Sequence, residues 1–174
     1  IPTRNEEMHL PLLLDSIKKQ TLQPTQIIVA DAQSTDATRL IAKKYGAQIV
    51  DGGEISFGRN AGAQEATTDL VLFLDADVEL RDPEFLEKSV GEMIERKLDL
   101  ATCDVFPLSD RHIDHFLHKA YNVYSRAWGS VFPHAPGFCM FVRKEAHDKI
   151  NGFDENIPFC EDHDYAQRLG KIGT

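Results

Sequence analysis

The carboxylate side chains that could do chemistry stand where predicted strands end or predicted helices begin. Residues 69–80, DLVLFLDADVEL, form an apolar run that ends in Asp75 and Asp77. A run this apolar is typical of a strand covered on both faces in a parallel sheet, and ligands usually bind at the carboxyl ends of such strands. In an extended chain both carboxylates would point to the same side and could bind one divalent cation. The alternative is a turn that ends the strand, since Asp is a common turn residue.

Two further groups of acidic residues stand at comparable points of the chain. Asp31 ends the β-branched stretch QIIVADA, and Glu161 and Asp162 open the helical pattern EDHDYAQRLGKIG. At a helix start the simpler interpretation is capping, because negative charge is favourable near a helix N-terminus. Taken singly, each group fits a structural role as well as a chemical one.

Alternating strand and helix patterns would position these acidic residues. Leu10, Leu13, Leu14 and Ile17 recur at helical spacing, and Asn5 precedes them as a candidate helix cap. Strand patterns follow over residues 26–32, 48–50, 70–77 and 98–106, and helix patterns over 34–47, 58–67, 82–97 and 112–128, with a last helix that opens at Glu161 and Asp162. This order predicts an α/β fold, Rossmann-like, with a mostly parallel central sheet flanked by helices.

The helix over 34–47 has a detailed prediction of its own. Ser34 or Thr35 is expected to cap it, Leu40 and Ile41 to face the core, and Gly46 to end it.

Composition limits the classes of function. The chain has 174 residues, 42% of them hydrophobic and 27% charged, which suits a single globular domain. Its net charge of −9 argues against a nucleic-acid partner. Cys103, Cys139 and Cys160 are widely spaced, so neither a disulfide framework nor a zinc site is indicated, and a reducing compartment is expected. The longest apolar run, LVLFL, is far shorter than the ~20 residues of a transmembrane helix.

Six segments, in order, resemble the successive motifs of family 2 glycosyltransferases. They are IPTRNEE, IIVADAQSTDAT, GRNAGAQEAT, LVLFLDAD, GFCMFVRKEAHDKINGFDE and EDHDYAQRL. Enzymes of this family have the GT-A fold and use a nucleotide-diphospho-sugar donor. The resemblance covers nearly all of the chain, except residues 104–134.

The resemblance implies a donor site built from the first half of the chain. Pro2 and Thr3 would lie against the nucleotide, Asp31 would accept a hydrogen bond from the base, and Arg59 would reach the nucleotide or the diphosphate. The family's common DDGSTD is DAQSTD here, with Ala32 in place of the second acid. This departure leaves the choice between a UDP-sugar and a GDP-sugar open.

The resemblance also implies the catalytic residues and their partners. Asp75 would contact the ribose or the metal, and Asp77 would bind the metal, Mn²⁺ or Mg²⁺. Asp162 would be the general base of an inverting hexosyl transfer, with Glu161 beside it placing the acceptor. The acceptor would be a glycan or a lipid-linked molecule of cell-envelope polysaccharide synthesis, and the location the cytoplasm or the inner face of the membrane.

The expected organisation is a single catalytic domain over residues 1–174. Residues 1–100 would form the nucleotide-sugar-binding half, and residues 101–174 the acceptor-side half. The first segment, IPTRNEE, has no residues before it to build a strand, and LGKIGT ends just after a helical pattern, so we expect truncation at both ends.

Two rival functions remain compatible with this pattern. A nucleotidyltransferase would share the sheet and the metal carboxylates, but it would be expected to carry a Gly-rich loop after its first strand, where this chain has IPTRNEEMHL. A non-catalytic nucleotide-sugar-binding module would be expected to have lost the base, and Asp162 is present.

Overall fold

The structure, a computed structural model, describes residues 1–128 and 135–172. Its strands are β1 (Pro2–Thr3), β2 (Ile28–Asp31), β3 (Gln48–Asp51), β4 (Leu70–Leu74), β5 (Leu100–Thr102) and β6 (Cys139–Arg143). Its helices are α1 (Leu10–Lys18), α2 (Thr38–Lys44), α3 (Ile55–Gln64), α4 (Phe85–Glu95), α5 (His112–Trp128), α6 (Lys144–Lys149) and α7 (Glu161–Gly170). The predicted α/β class is confirmed.

The strands form two three-stranded sheets. The first has the order β1-β2-β3 and is parallel, with Thr3 opposite Asp31 and Asp31 opposite Asp51. The second has the order β4-β6-β5, and both of its strand pairs are antiparallel. The parallel pairing expected for β4 itself is therefore wrong. An apolar sequence indicates that a strand is buried on both faces. A parallel or an antiparallel neighbouring strand is equally compatible with that burial.

The first helix confirms the predicted apolar face and corrects its start. Leu10, Leu13 and Leu14 are fully buried, but α1 begins only at Leu10. Asn5 has a left-handed backbone, with φ of 57°, and its side-chain oxygen accepts a hydrogen bond from the Thr35 N–H at 2.9 Å. Asn5 therefore fastens β1 to the loop after β2 and does not cap α1.

The second helix is shorter than predicted, and its buried face differs. Its inward residues are Thr38 and Ala42, while Leu40 is 71% exposed. In a helix of 7 residues, the two buried positions one turn apart fix the inward face, and Leu40 lies between them on the opposite side. The prediction for Leu40 is wrong, whereas Ile41 packs against the core and Gly46 ends the helix with φ of 79°.

A cluster of buried side chains supports α7, the helix that carries the candidate base. Tyr165 is fully buried, stacks on Phe153 with ring centroids 3.9 Å apart, and shares a 2.8 Å hydrogen bond with His147 Nδ1. Burial lowers the pKa of His147 to about 4 and raises the pKa of Tyr165. Both partners of this bond are therefore uncharged at neutral pH.

Among the helices of residues 1–128 and 135–172, none has the length and apolar character needed to cross a bilayer.

Candidate functional site

The chain turns directly after β4, so Asp75 and Asp77 do not lie on an extended strand. β4 ends at Leu74, and the Val78 N–H approaches the Asp75 carbonyl at 3.4 Å, which closes a turn. Asp77 is exposed and Asp75 is half-buried. Burial raises the pKa of Asp75, the Arg59 charge opposes this, and the Asp77 charge adds to it. The two carboxylates are thus close enough to repel each other, although the extended geometry expected for them is wrong.

Arg59 lies between the acidic residues of the two halves of the chain. It is 2% exposed. Its Nη2 donates to Asp75 Oδ1 at 3.0 Å and to the Gly137 carbonyl at 3.1 Å, and its Nη1 donates to Glu161 Oε1 at 2.8 Å. Within the described residues its buried Nε has no hydrogen-bond partner. The guanidinium therefore connects the end of β4 with the start of α7.

Gly137 joins this ionic cluster to the candidate base. Its carbonyl accepts from Arg59, and its N–H donates to Asp162 Oδ2 at 2.8 Å. A Cβ at this position would lie 2.9 Å from Arg59 Cζ and closer still to Nη2, so the guanidinium occupies the space of a side chain. Gly137 was not predicted from the sequence as a site residue. The one indication available was its position directly before an apolar strand, as the first residue of the motif GFCMFVRKEAHDKINGFDE.

Thr3 and Asp31 form a second group at the carboxyl ends of β1 and β2. The Asp31 carboxylate accepts from Thr3 Oγ1 at 3.2 Å, from the Ser34 N–H at 3.1 Å and from Arg39 Nη1 at 2.9 Å. Burial acts to raise the pKa of Asp31, but these hydrogen bonds outweigh it and hold that pKa below its usual value. Pro2 lies half-buried in the same strand.

The structure thus brings six predicted residues into two groups and leaves two, Pro2 and Asp77, beside them. Asp75, Arg59, Glu161 and Asp162 are connected through hydrogen bonds and Gly137. Thr3 and Asp31 contact each other in the second group. A Cβ on Gly58, the residue before Arg59, would lie 3.4 Å from Pro2 Cβ in β1, so the two groups are neighbours.

The donor set at the end of β4 suits a hard cation. Asp75 and Asp77 supply carboxylate oxygens, the ligands that Mg²⁺ and Mn²⁺ prefer, and a cation between them would relieve their repulsion. Within residues 1–128 and 135–172, no three His, Cys, Asp or Glu side chains converge on one position. A cation here would therefore need further ligands from a bound phosphate or from water.

A cavity of about 300 Å³ borders Arg59 and is lined by residues of β2, β4 and β6. Its lining is mainly apolar and includes Ile28, Leu72 and Phe141, and it contains none of the candidate carboxylates. It offers no groups for acid, base or cation chemistry, so the site is the carboxylate cluster and not this cavity.

Comparison with known proteins gives one family. Residues 1–151 match the family described as Glycosyl transferase family 2. The 4,4'-diaponeurosporenoate glycosyltransferase of Staphylococcus haemolyticus (strain JCSC1435) is 38% identical over 96 residues, which cover 50% of this chain and 25% of the relative. The enzyme of the same name from Staphylococcus aureus (strain MRSA252) is 36% identical over 102 residues, or 54% of this chain and 26% of that protein. The chain thus spans about a quarter of the length of these relatives.

Solved structures show the same fold. The S. aureus TarS 1–349 structure has a TM-score of 0.78 and 21% identity, and the match covers 99% of this chain and 54% of that chain. The mannosyltransferase PcManGT from Pyrobaculum calidifontis, solved with GDP-Man and Mn²⁺, has a TM-score of 0.76 and 20% identity, with 97% of this chain and 50% of that chain covered. At these identities the likeness shows the fold.

Replacing Asp31 by Asn should lower stability in a pH-dependent way. The pKa of Asp31 is lower in the folded chain than its ordinary value of about 3.9. Its contribution is therefore complete above that pH and is lost as the pH falls through the folded pKa. We expect Asp31→Asn to reduce the free energy of unfolding by about 1–3 kcal/mol at neutral pH, and the difference to shrink in acid. Urea unfolding of both chains at neutral pH and in acid measures this difference in the free energy of unfolding.

Asp51→Asn is the matched control, because Asp51 ends the neighbouring strand and is exposed. A loss as large in Asp51→Asn, or a loss in Asp31→Asn that does not change with pH, would contradict this role of the Asp31 carboxylate.

Adding a methyl group at Gly137 should disturb the Arg59 cluster. The new Cβ would collide with the guanidinium, which is held by three acceptors and cannot move without losing one of them. We expect Gly137→Ala to reduce the free energy of unfolding by about 1–3 kcal/mol, the usual cost of overpacking. In Gly91→Ala, where the added Cβ meets open space on α4, stability should rise by about 0.5–1 kcal/mol. Equal behaviour of both variants in urea unfolding would refute the tight packing at Gly137.

Proposed function

Because the chain belongs to glycosyl transferase family 2, we propose that it transfers a sugar from a UDP- or GDP-sugar to an acceptor hydroxyl group with inversion. The family resemblance and the GT-A fold predicted from the six motifs are confirmed. The observation that carries the proposal is the connection of Asp75, at the end of β4, to Asp162, at the start of α7, through Arg59 and Gly137. Structures of the same fold were solved with UDP and with GDP-Man and Mn²⁺, which supports this donor class.

We place the nucleotide at the carboxyl ends of β1 and β2, beside Pro2, Thr3 and Asp31. The Asp31 carboxylate accepts hydrogen bonds from Thr3, Ser34 and Arg39, which favours a role in which Asp31 shapes the base pocket through these neighbours. The choice between uracil and guanine stays open, because Ala32 stands where the family has its second acid.

We assign the metal-binding role to Asp77 and Asp75, with Mn²⁺ or Mg²⁺ as the cation. When bound, the cation would stabilise the negative charge that develops on the leaving diphosphate. Arg59 compensates the charge of Asp75 from the protein side through its 3.0 Å ion pair. The predicted contact of Arg59 with the nucleotide stays a prediction, and its burial favours a role as counter-ion.

We assign the general base to Asp162. Its Oδ2 is held by the Gly137 N–H and its Oδ1 by the His163 N–H, each at 2.8 Å, so its carboxylate has a defined orientation. It would take the proton of the acceptor hydroxyl during attack on the anomeric carbon from the side opposite the diphosphate, and that direction of attack inverts the centre. Glu161 would help to place the acceptor, and its ion pair with Arg59 at 2.8 Å supports a positioning role.

The division into a donor half (1–100) and an acceptor half (101–174) follows from this assignment as part of the proposal. A glycan or lipid-linked acceptor, and a location in the cytoplasm or at the inner membrane face, stay predictions.

Of the two rival functions, the family match disfavours a nucleotidyltransferase. The Asp162→Asn variant described below tests the other, a non-catalytic binding module.

Nucleotide binding should depend on a divalent cation through Asp77. We expect UDP or GDP to bind at least about tenfold more tightly with Mn²⁺ than with a chelator, which is about 1.4 kcal/mol, because the cation would bridge carboxylate and phosphate. Asp77→Asn should remove most of this gain in calorimetry. Asp69→Asn, at the other end of β4 and exposed, should keep it. If chelation leaves the affinity of every nucleotide unchanged, the metal role of Asp77 is wrong.

Asp162→Asn should separate the enzyme from a binding module. Asn keeps the size and the capping capacity of Asp but cannot accept the proton, so sugar transfer by the full-length protein should fall by ~10²–10⁴-fold. Donor affinity and melting temperature should change little. Asp164→Asn, two residues along α7 in an ion pair with Arg168, should transfer sugar at nearly the wild-type rate. Near-normal transfer by Asp162→Asn would remove Asp162 from the mechanism.

A further inference from the structure

Two cysteines that the proposed function does not use face each other across neighbouring strands. β5 ends at Thr102, which is opposite Met140, so continuing the same antiparallel register by one residue places Cys103 opposite Cys139. The Thr102 hydroxyl donates to the Cys139 carbonyl at 2.9 Å, which holds the two strands together at this point. Directly opposed residues have Cα atoms about 4.5–5.5 Å apart, which is within the range of about 4.4–6.8 Å that a disulfide bond spans.

The two thiols differ in access and acidity. Cys139 is 1% exposed within the core, and Cys103 is half-buried and packs against the same core. A hydrogen bond from the Cys139 thiol lowers the pKa of the Cys103 thiol, while that bond and burial raise the pKa of Cys139. Since the thiolate is the nucleophile, Cys103 is both the more accessible and the more reactive partner.

We propose that Cys103 and Cys139 form a thiol–disulfide exchange site that reacts with small-molecule disulfides. The Cys103 thiolate attacks one sulfur of the reagent, forms a mixed disulfide and releases one reagent thiolate, which takes up the Cys139 proton. The Cys139 sulfur then attacks the Cys103 sulfur, and the second reagent thiolate leaves and is protonated by solvent. The cysteines lose two electrons and two protons, and the reagent is reduced to two thiols.

The new bond would act on the candidate site through the residues before Cys139. The Phe138 carbonyl accepts from the Asp75 N–H at 3.1 Å, and Gly137 contacts both Arg59 and Asp162. Forming the bond repositions the buried Cys139 side chain and repacks the core beside this segment, so oxidation weakens cation-dependent nucleotide binding. This consequence rests on the proposed function, whereas the exchange reaction does not.

Oxidised glutathione and intact-mass measurement test the reaction. Cys160 is exposed, so it serves as the internal reactivity control in the unaltered chain and is then replaced by Ser. The Cys160→Ser chain should lose about 2 Da, the mass of two hydrogens, without retaining glutathione. Adding Cys139→Ala should trap one glutathione on Cys103, and adding Cys103→Ser should abolish the reaction. Thermal unfolding verifies that each variant is folded.

Two results would overturn the exchange site. One is a Cys160→Ser chain that keeps its thiols under conditions that fully modify Cys160 in the unaltered chain. The other is equal modification with and without Cys103.

Binding of UDP with Mn²⁺ is then compared before oxidation, after it, and after reduction with dithiothreitol, and a reversible loss of at least about threefold is expected. Unchanged binding by the oxidised chain would overturn the link to the site, while an unaltered chain that binds no nucleotide would refute the proposed function and leave the mass result intact.

Discussion

The buried guanidinium of Arg59 is the interaction on which the arrangement of the site depends. Removing a charge of this size from water costs several kcal/mol, and this cost is offset only where opposite charges and hydrogen bonds surround it. Arg59 meets this requirement with one carboxylate from each half of the chain, Asp75 and Glu161, and with the Gly137 carbonyl. Removing one partner of such a group typically costs about 3–5 kcal/mol. The positions of the end of β4 and the start of α7 are therefore not independent of each other.

The residue after Arg59 extends the same connection. Asn60 Nδ2 donates to the Phe153 carbonyl at 2.9 Å, and the Phe153 N–H donates to Asn60 Oδ1 at 2.8 Å. Gly152 approaches this amide so closely that a Cβ would lie 3.1 Å from Asn60 Cγ, and its φ of 69° also favours glycine. Two adjacent residues of α3 thus hold the segment before β6 and the segment before α7. The GRN of the third motif is explained by these contacts as well as by any contact with a ligand.

Sequence reasoning predicted what depends on local pattern and missed what depends on tertiary contact. The helical spacing of Leu10, Leu13 and Leu14 and the stop at Gly46 are local, and both predictions are confirmed. The pairing direction of β4 and the exposure of Leu40 depend on which other elements pack against them in the folded chain. The sequence of a single segment does not encode those tertiary neighbours. Gly137 was missed for the same reason, since its role is to leave space for a side chain that is 78 positions earlier in the chain.

The hydrogen bond between His147 and Tyr165 helps to hold α7 in place, and both of its partners are uncharged at neutral pH. The pKa of His147 is lowered to about 4, so its contribution to stability is complete above the ordinary value of about 6.5 and is lost as the pH falls toward 4. The pKa of Tyr165 is raised, so its contribution is lost only above the ordinary tyrosine value of about 10. Between these limits neither partner exchanges a proton on unfolding. The hydrogen bond beneath the helix that presents Asp162 is therefore insensitive to pH across the physiological range, so a pH dependence of activity in that range would not arise from loosening of this support.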